Sequence, residues 1–322
     1  MKNTFMPPKV ILGILSYNNA SFVRKTLLSA INQTYPNIEI AVHDDCSSDD
    51  SLEVIYDTIK NVGKKVLVIS SDKNIGICAS LNKIIQIAKG DYYCFIGSDD
   101  YFLPDFVSKR VALMESILSE YGICYSHSIL ISEEGAIIGF EERPKSPSGD
   151  IFDYLISLKN QSLCKPLSLF YRSKIFEDVG LFDEELLFED LDFILRCARK
   201  TKFYFFNSFD SHYRVRKQGS LGSKVFESRG LKSHFLILNK HTGFNDVTDK
   251  KINDRKLYIL FAGLKRGAEK ELLSDLIQDC SFKQSPIGWS LLYLTILLNP
   301  LLNKSLPFFR SALYKLVNYA IK

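Results

Sequence analysis

The chain has 322 residues, 46% of them hydrophobic and 24% charged, with a formal net charge of +4. This is enough chain for one large globular domain or two small ones. The slight positive balance, with no Lys/Arg stripe interleaved with aromatics, excludes a nucleic-acid-binding surface. Seven widely spaced cysteines without a CxxC pair (46, 78, 94, 124, 164, 197, 280) fit reduced thiols, and neither a disulfide framework nor a zinc site. Met1 to Pro8 leads straight into an apolar run, leaving no room for a signal peptide, so the catalytic part is expected in the cytoplasm.

Val10 to Leu15 reads as a strand ended by the polar Ser16-Tyr17-Asn18-Asn19. Val23, Leu27, Ala30 and Ile31 then recur at helical spacing, stopped by Pro36-Asn37. Ile38 to Val42 is a second strand, ending in His43-Asp44-Asp45-Cys46-Ser47-Ser48-Asp49-Asp50. Leu52, Ile55, Tyr56 and Ile59 mark a second helix, Val66 to Ile69 a third strand, and Leu81, Ile84, Ile85 and Ala88 a third helix closed by Gly90. Tyr92 to Ile96, apolar and aromatic throughout, reads as a strand buried on both faces that runs into Gly97-Ser98-Asp99-Asp100. The β-α-β-α-β-α-β alternation implies a doubly wound, mostly parallel sheet with right-handed crossovers. Its strand-end acids then lie in the crevice where such sheets bind ligands.

Beyond Asp100 the pattern becomes mixed. A helix is expected from Pro104 to about Ser119, a hairpin from 122–131 and 136–140 around Glu133-Glu134-Gly135, and a mobile loop over 141–149. A strand follows over 167–171, then a short helix closed by Gly180. Leu191, Ile194, Leu195 and Ala198 form the stripe of another helix and leave Glu189 and Asp190 at its first turn. Residues 225–280 read as further helices. After Asp279 no acid remains, while Lys283, Lys304, Arg310, Lys315 and Lys322 do, and the apolar run 287–298 is cut by Pro300. That run is short of the roughly 20 residues needed to cross a bilayer. The tail is expected to lie on a membrane surface with Trp289 and the lysines at the interface, or else to form a dimer interface or a cap. Three regions are thus expected: 1–110, 111–224 and a helical extension, 225–322.

Adjacent carboxylates repel, so Asp99 and Asp100 point to a shared divalent cation with phosphate oxygens, or else to a cap on the helix that follows. Acids at a first helical turn, such as Glu189 and Asp190, are ordinary partners of the helix dipole.

Gly13-Ile14-Leu15-Ser16-Tyr17-Asn18, Asn32 to Ile40, Asp44-Asp45-Cys46-Ser47-Ser48-Asp49, Asn74-Ile75-Gly76 and Ser98-Asp99-Asp100 stand in the order of the signatures of family 2 glycosyltransferases with the GT-A (nucleotide-diphospho-sugar transferase) fold. Glu189-Asp190, with Arg196 later in the helix, resembles that family's acidic motif. The resemblance covers about residues 10–216. It implies that Ser16, Tyr17, Asn18, Asp45, Asn74 and Asp99 hold the nucleotide of a UDP-, GDP- or dTDP-sugar donor. Asp100, with Asp99, would hold Mn²⁺ or Mg²⁺, and Asp190, oriented by Glu189, would activate the hydroxyl of a saccharide or lipid-linked acceptor. The implied activity is an inverting transfer in cell-surface polysaccharide synthesis, at the inner face of the membrane.

Three positions depart from the family pattern: Cys46 replaces a usual Gly, Leu81 a usual Arg, and Arg216 a common His in the segment over the diphosphate. Arg216 and Lys217 could neutralise phosphate themselves, or belong to a solvated loop. His212 could be a displaced metal ligand, or a satisfied strand residue. Two other functions compete. A sugar nucleotidyltransferase would want a Gly-rich basic loop where Leu15 to Ala20 has neither glycine nor base. A non-catalytic nucleotide-sugar-binding module would have no need of Asp99, Asp100 and Asp190 together.

Overall fold

The computed structural model describes residues 6–142, 145–158, 162–216, 226–305 and 307–320. The chain forms two compact units: 1–151 with 163–184 and 192–217, and 152–162 with 185–191 and 218–322.

The first unit is built on a nine-stranded sheet of order β3-β2-β1-β4-β8-β6-β9-β5, with β7 paired to β6. β1 (Val10–Ser16), β2 (Ile38–Asp44), β3 (Leu67–Ser70) and β4 (Tyr92–Gly97) are mutually parallel, as the alternation requires. α1 (Ala20–Ile31), α2 (Ser51–Val62) and α3 (Ile77–Ile87) make the crossovers. Val10, Leu12 and Ile14 of β1 pack with Val23, Leu27, Ala30, Val42 and Ile55 in one core. Gly13 leaves space for an aromatic ring, since a Cβ there would come within 2.6 Å of Phe95 Cδ1.

The mixed half follows. β5 is Tyr101–Phe102, α4 Phe106–Ser116, β6 Tyr121–Ile131 and β7 Ile137–Glu141. β6 and β7 form the expected antiparallel hairpin. The expected strand over 167–171 divides into a 3₁₀ turn, Pro166–Ser168, and β8, Phe170–Arg172, because the sheet takes up only the residues that pair with β4 and β6. β9 (Lys202–Arg214) runs parallel to β6 and antiparallel to β5. Fully buried Arg110 of α4 grips Asp210 of β9 through both terminal nitrogens (2.9 Å each) and donates to Ser126 Oγ of β6 (2.7 Å). The loop after β7 is fastened where it is described: Gly149 and Phe203 exchange backbone hydrogen bonds (2.7 and 2.9 Å), and Tyr125 donates to the Pro147 carbonyl (2.7 Å). Those partners tie Pro147 and Gly149 to β6 and β9.

The second unit contains α5 (Phe152–Ser157), the segment 185–191 and the C-terminal helices α8 (Ser228–Asn239), α9 (Asp246–Lys265), α10 (Lys270–Leu276), α11 (Pro286–Ser305) and α12 (Pro307–Ala320). Short α6 (Lys174–Asp178) belongs to the first unit, and α7 (Asp190–Ala198) starts in the second and continues into the first. Asn245 caps α9 by accepting the Thr248 N–H (2.8 Å). Leu231, Phe235, Leu257, Leu260 and Leu273 are buried here. Helix α11 continues through Pro300, because proline's own φ is helical and its cost is confined to one hydrogen bond and the preceding turn. Among the described residues no helix is long and apolar enough to cross a membrane. Trp289, expected at a membrane interface, donates its indole N–H to the Ile277 carbonyl (3.1 Å) and stacks on Tyr293. Ile287, Leu294 and Leu297 of α11 are exposed.

Candidate active site

Parallel register brings three strand ends level: Ser16 pairs with Asp44 and Leu15 with Gly97. The loops that leave these strands share one crevice of the first unit. Asp45 N–H donates to the Ser16 carbonyl (2.9 Å), and Ser98 N–H to the Leu15 carbonyl (2.9 Å). Asn18, at φ 51°, donates its N–H to Ser47 Oγ (2.9 Å) and accepts from the Ser48 N–H (2.7 Å). Tyr17 is exposed beside it. The buried Asp45 carboxylate accepts the backbone N–H groups of Ile75 (2.7 Å) and Gly76 (2.9 Å), fixing the turn into α3. Asn74, next to that turn, lines a polar pocket of about 490 Å³ with Lys73, Asn82, Lys83 and Glu184. Cys46 lies at φ 62°, in the left-handed region that favours glycine, which explains the usual Gly of the family pattern. Leu81, where an Arg is usual, is in the core, while Lys83 donates to Ser71 Oγ (3.0 Å).

At the end of β4 the two acids converge. A Cβ on Gly97 would lie 3.0 Å from Asp99 Oδ1 and 3.7 Å from Asp100 Oδ2. Burial, and then the neighbouring Asp99 charge, hold the Asp100 carboxyl well above the usual carboxylate range, against the opposing pull of Arg214 and Lys165. Asp100 Oδ1 accepts the Arg214 N–H (2.7 Å). Thr26 Oγ1 shares its proton between the carbonyls of Ser98 (2.8 Å) and Asp100 (2.6 Å). Arg214 Nε donates to the Asp99 carbonyl (2.7 Å), and Arg216 Nη1 donates to Asn19 Oδ1 (2.7 Å) and lies 3.5 Å from Asp99 Oδ2. Two crowded carboxylates, one buried, with cationic guanidinium groups alongside, suit a hard divalent cation that takes its remaining ligands from phosphate oxygens. Among the described residues, no three His, Cys, Asp or Glu side chains lie together to hold a metal by themselves. The His212 ring lies flat on Tyr101, 4.2 Å between centroids, and burial and Lys25 lower its pKa. Stacking covers one face of the ring, while its buried Nδ1 has no hydrogen-bond partner among the described residues. Lys217 lies outside the described residues.

In the second unit Glu189 directly precedes α7, and Asp190 opens it, with Asp190 Oδ1 accepting the Leu191 N–H (2.8 Å). Burial and the Asp190 charge push the Glu189 carboxyl up to about 8. Asp192, two residues on, accepts from Arg196 Nε (2.8 Å), and the same guanidinium donates to the carbonyls of Val179 (3.0 Å) and Leu181 (2.8 Å). Its role is to hold Arg196 in place.

Arg214, Asn19 and Thr26 escaped the sequence reading. Arg214 lies two residues before Arg216 at the end of a strand, and that spacing was the available signal.

A parallel half ending in paired aspartates and continued by an antiparallel half defines a GT-A glycosyltransferase fold. The chain overlays on the crystal structure of Staphylococcus aureus TarS 1–349 in complex with UDP-GlcNAc with a TM-score of 0.68, at 17% identity, over 97% of this chain and 90% of that one. It also overlays on the Pyrobaculum calidifontis mannosyltransferase PcManGT in complex with GDP-Man and Mn²⁺, with a TM-score of 0.59 at 15% identity, over 98% and 86%. Residues 12–162 match the model of glycosyl transferase family 2. An uncharacterised glycosyltransferase of Rickettsia typhi is 28% identical over 86% of this chain and 81% of its own length. The Escherichia coli UDP-Glc:alpha-D-GlcNAc-diphosphoundecaprenol beta-1,3-glucosyltransferase WfaP is 29% identical over 71% and 90%. The matches support a glycosyltransferase of family 2 on a GT-A fold.

Proposed function

We propose that the chain is an inverting, metal-dependent glycosyltransferase that moves a sugar from a nucleotide-diphosphate donor to a lipid-linked saccharide during cell-surface polysaccharide synthesis. The convergence of Asp99 and Asp100 at Gly97, beside Arg214 and Arg216, carries this reading. In it Ser16, Tyr17, Asn18, Asp45 and Asn74 receive the base and ribose, and Asp99 lies by the ribose. Asp100 and Asp99 would hold Mn²⁺ or Mg²⁺, which would supply Lewis-acid stabilisation for a departing diphosphate. Arg216 and Lys217 add positive charge for the phosphates. Asp190 takes the proton of the acceptor hydroxyl as it attacks the anomeric carbon from the face opposite the leaving group. One displacement inverts that centre. Glu189 orients its neighbour. The diphosphoundecaprenol in the name of the E. coli relative supports a lipid-linked acceptor, and hence work at the cytoplasmic membrane face. The exposed Ile287, Leu294 and Leu297 beside an acid-free tail suit that surface.

The test is a screen of nucleotide release from UDP-, GDP- and dTDP-sugars with Mn²⁺, Mg²⁺ or chelator. The acceptor saccharide is supplied free or on polyprenyl diphosphate in vesicles, and flotation of the enzyme with those vesicles is scored alongside. The expected outcome is metal-dependent release from one donor, faster with the vesicle-borne acceptor, and a product anomer opposite to that of the donor. Full activity in chelator removes the metal. Bound nucleotide without release from any donor leaves a binding module, and enzyme that does not float leaves the tail without a membrane role.

A further inference from the structure

Asn19 stands immediately before α1, where an asparagine ordinarily caps the helix by accepting an N–H of the first turn. Its side chain makes no such bond, and the Ala20 N–H donates instead to Asp49 Oδ2 (3.0 Å). The amide is turned across the crevice: Nδ2 donates to Ser98 Oγ (2.9 Å), and Oδ1 accepts from Arg216 Nη1 (2.7 Å). A guanidinium only donates, so the amide oxygen has to face it. Ser98 is itself fastened, since its N–H donates to the Leu15 carbonyl (2.9 Å) and its carbonyl accepts from Thr26 Oγ1 (2.8 Å). Asn19 thus ties Arg216 to the end of β4, where Nη1 lies 3.5 Å from Asp99 Oδ2. The two arginines over the Phe22 ring differ in what they have left to donate. Arg214 commits Nε and Nη1 to the carbonyls of Asp99, Ser132 and Glu133. Arg216 is held by side chains, and its buried Nε has no partner among the described residues.

We propose that Asn19 is the positioning residue of Arg216, and that the chain Ser98–Asn19–Arg216 holds one guanidinium ready for the diphosphate of the donor. This rests on the reading of Arg216 as a phosphate-facing residue. A long side chain loses rotamer freedom when a ligand immobilises it, and one already held loses less, so the same charge binds more tightly. The unmatched Nε–H suits an anionic oxygen, the partner for which a guanidinium makes its strongest hydrogen bonds. Asn19 also has the right charge for this task. A carboxylate in its place would hold the guanidinium equally well but cancel the positive charge that the phosphates need, whereas a neutral amide holds it and leaves that charge in force. Diverting the amide from the helix cap is tolerable because Asp49 serves the N-terminus of α1.

The probes are UDP and UMP, with GDP and GMP in parallel, titrated onto the full chain in Mg²⁺ and again in chelator, which separates a metal's share of the difference from the protein's. The readout is the ratio of diphosphate to monophosphate affinity, because a merely structural loss weakens both ligands alike. Asn19→Ala should lower that ratio roughly tenfold, the worth of one hydrogen bond to a charged group. Arg216→Ala should lower it at least as far, and Asn19→Ala should then add nothing, since the group it positions is gone. A ratio that Asn19→Ala leaves unchanged, or lowers just as much on top of Arg216→Ala, overturns the proposal, and so does equal loss of UDP and UMP. Failure of the underlying reading looks different: Arg216→Ala itself would leave the ratio unchanged. Should Asn19→Ala not fold, Ser98→Ala removes the far anchor of the amide and should lower the ratio in the otherwise unaltered chain but not beside Arg216→Ala. An unchanged ratio in Ser98→Ala overturns the proposal.

Discussion

The donor crevice and the acid pair are built in opposite ways. In the first unit the residues come from the ends of adjacent parallel strands, and the loops that carry them tie one another through short contacts such as Asn18 to Ser47 and Asp45 to Gly76. In the second unit the segment that leads into the two acids rests on side chains of a helix late in the chain, Ser233 against Leu187 and His234 against Phe188. A crevice of strand ends is assembled when the sheet forms. An acid pair of this kind is set up only when distant helices pack. The two regions should therefore respond differently to single substitutions.

The largest expected effect lies in the second unit. Asp190→Asn keeps shape and capping capacity but loses basicity, so turnover should fall by roughly 10²–10⁴-fold. Melting temperature and nucleotide affinity should hold, because Asn caps a helix nearly as well as Asp. Near-normal turnover would move the acid pair out of the chemistry and reduce it to a helix start.

In the crevice, binding and fold are coupled. From the sequence, Asp45→Ala mainly weakens donor binding, and the structure adds that its carboxylate accepts both N–H groups of the turn into α3. Leaving those donors unmatched costs about 1–3 kcal/mol. Calorimetry and donor KM measured together should show stability falling as KM rises; a raised KM at unchanged stability would mean the turn holds without Asp45. The smallest effect is a gain. Cys46→Gly relieves the left-handed backbone at φ 62° and should stabilise by about 1 kcal/mol, read as a higher melting temperature with unaltered nucleotide affinity. No gain would show that the Cys46 Sγ contact with the Asp72 carbonyl (3.5 Å) offsets the strain.

This contrast also explains what could be read from the residues. β1 to β4, the helices between them and the hairpin of β6 and β7 follow from periods of 2 and 3.6, and Ser16, Asp45, Asp99 and Asp100 stand where those periods end. Arg214 was hidden because a strand's last charged residue looks like loop until its partners, the Asp99, Ser132 and Glu133 carbonyls, are known. Helix α9 reads as charged and half-solvated, yet Asn253, Arg255 and Lys256 are all buried in it. Their partners are backbone groups such as Leu155, Asp279 and Ser281, which lie far away in the chain and leave no trace in local pattern.

The buried Arg110–Asp210 pair works as an indexing pin for β9. Asp210 also lends its carbonyl to the Leu103 N–H (2.9 Å), so the strand is clamped by side chain and backbone at one residue. A slip of one position would send every following side chain to the opposite face, Arg214 and Arg216 included. Removing either charge alone would strand the other in the core at a cost of about 3–5 kcal/mol. The two positions can therefore change only together, and the spacing from Asp210 to Arg214 and Arg216 has to be kept through any insertion or deletion in β9.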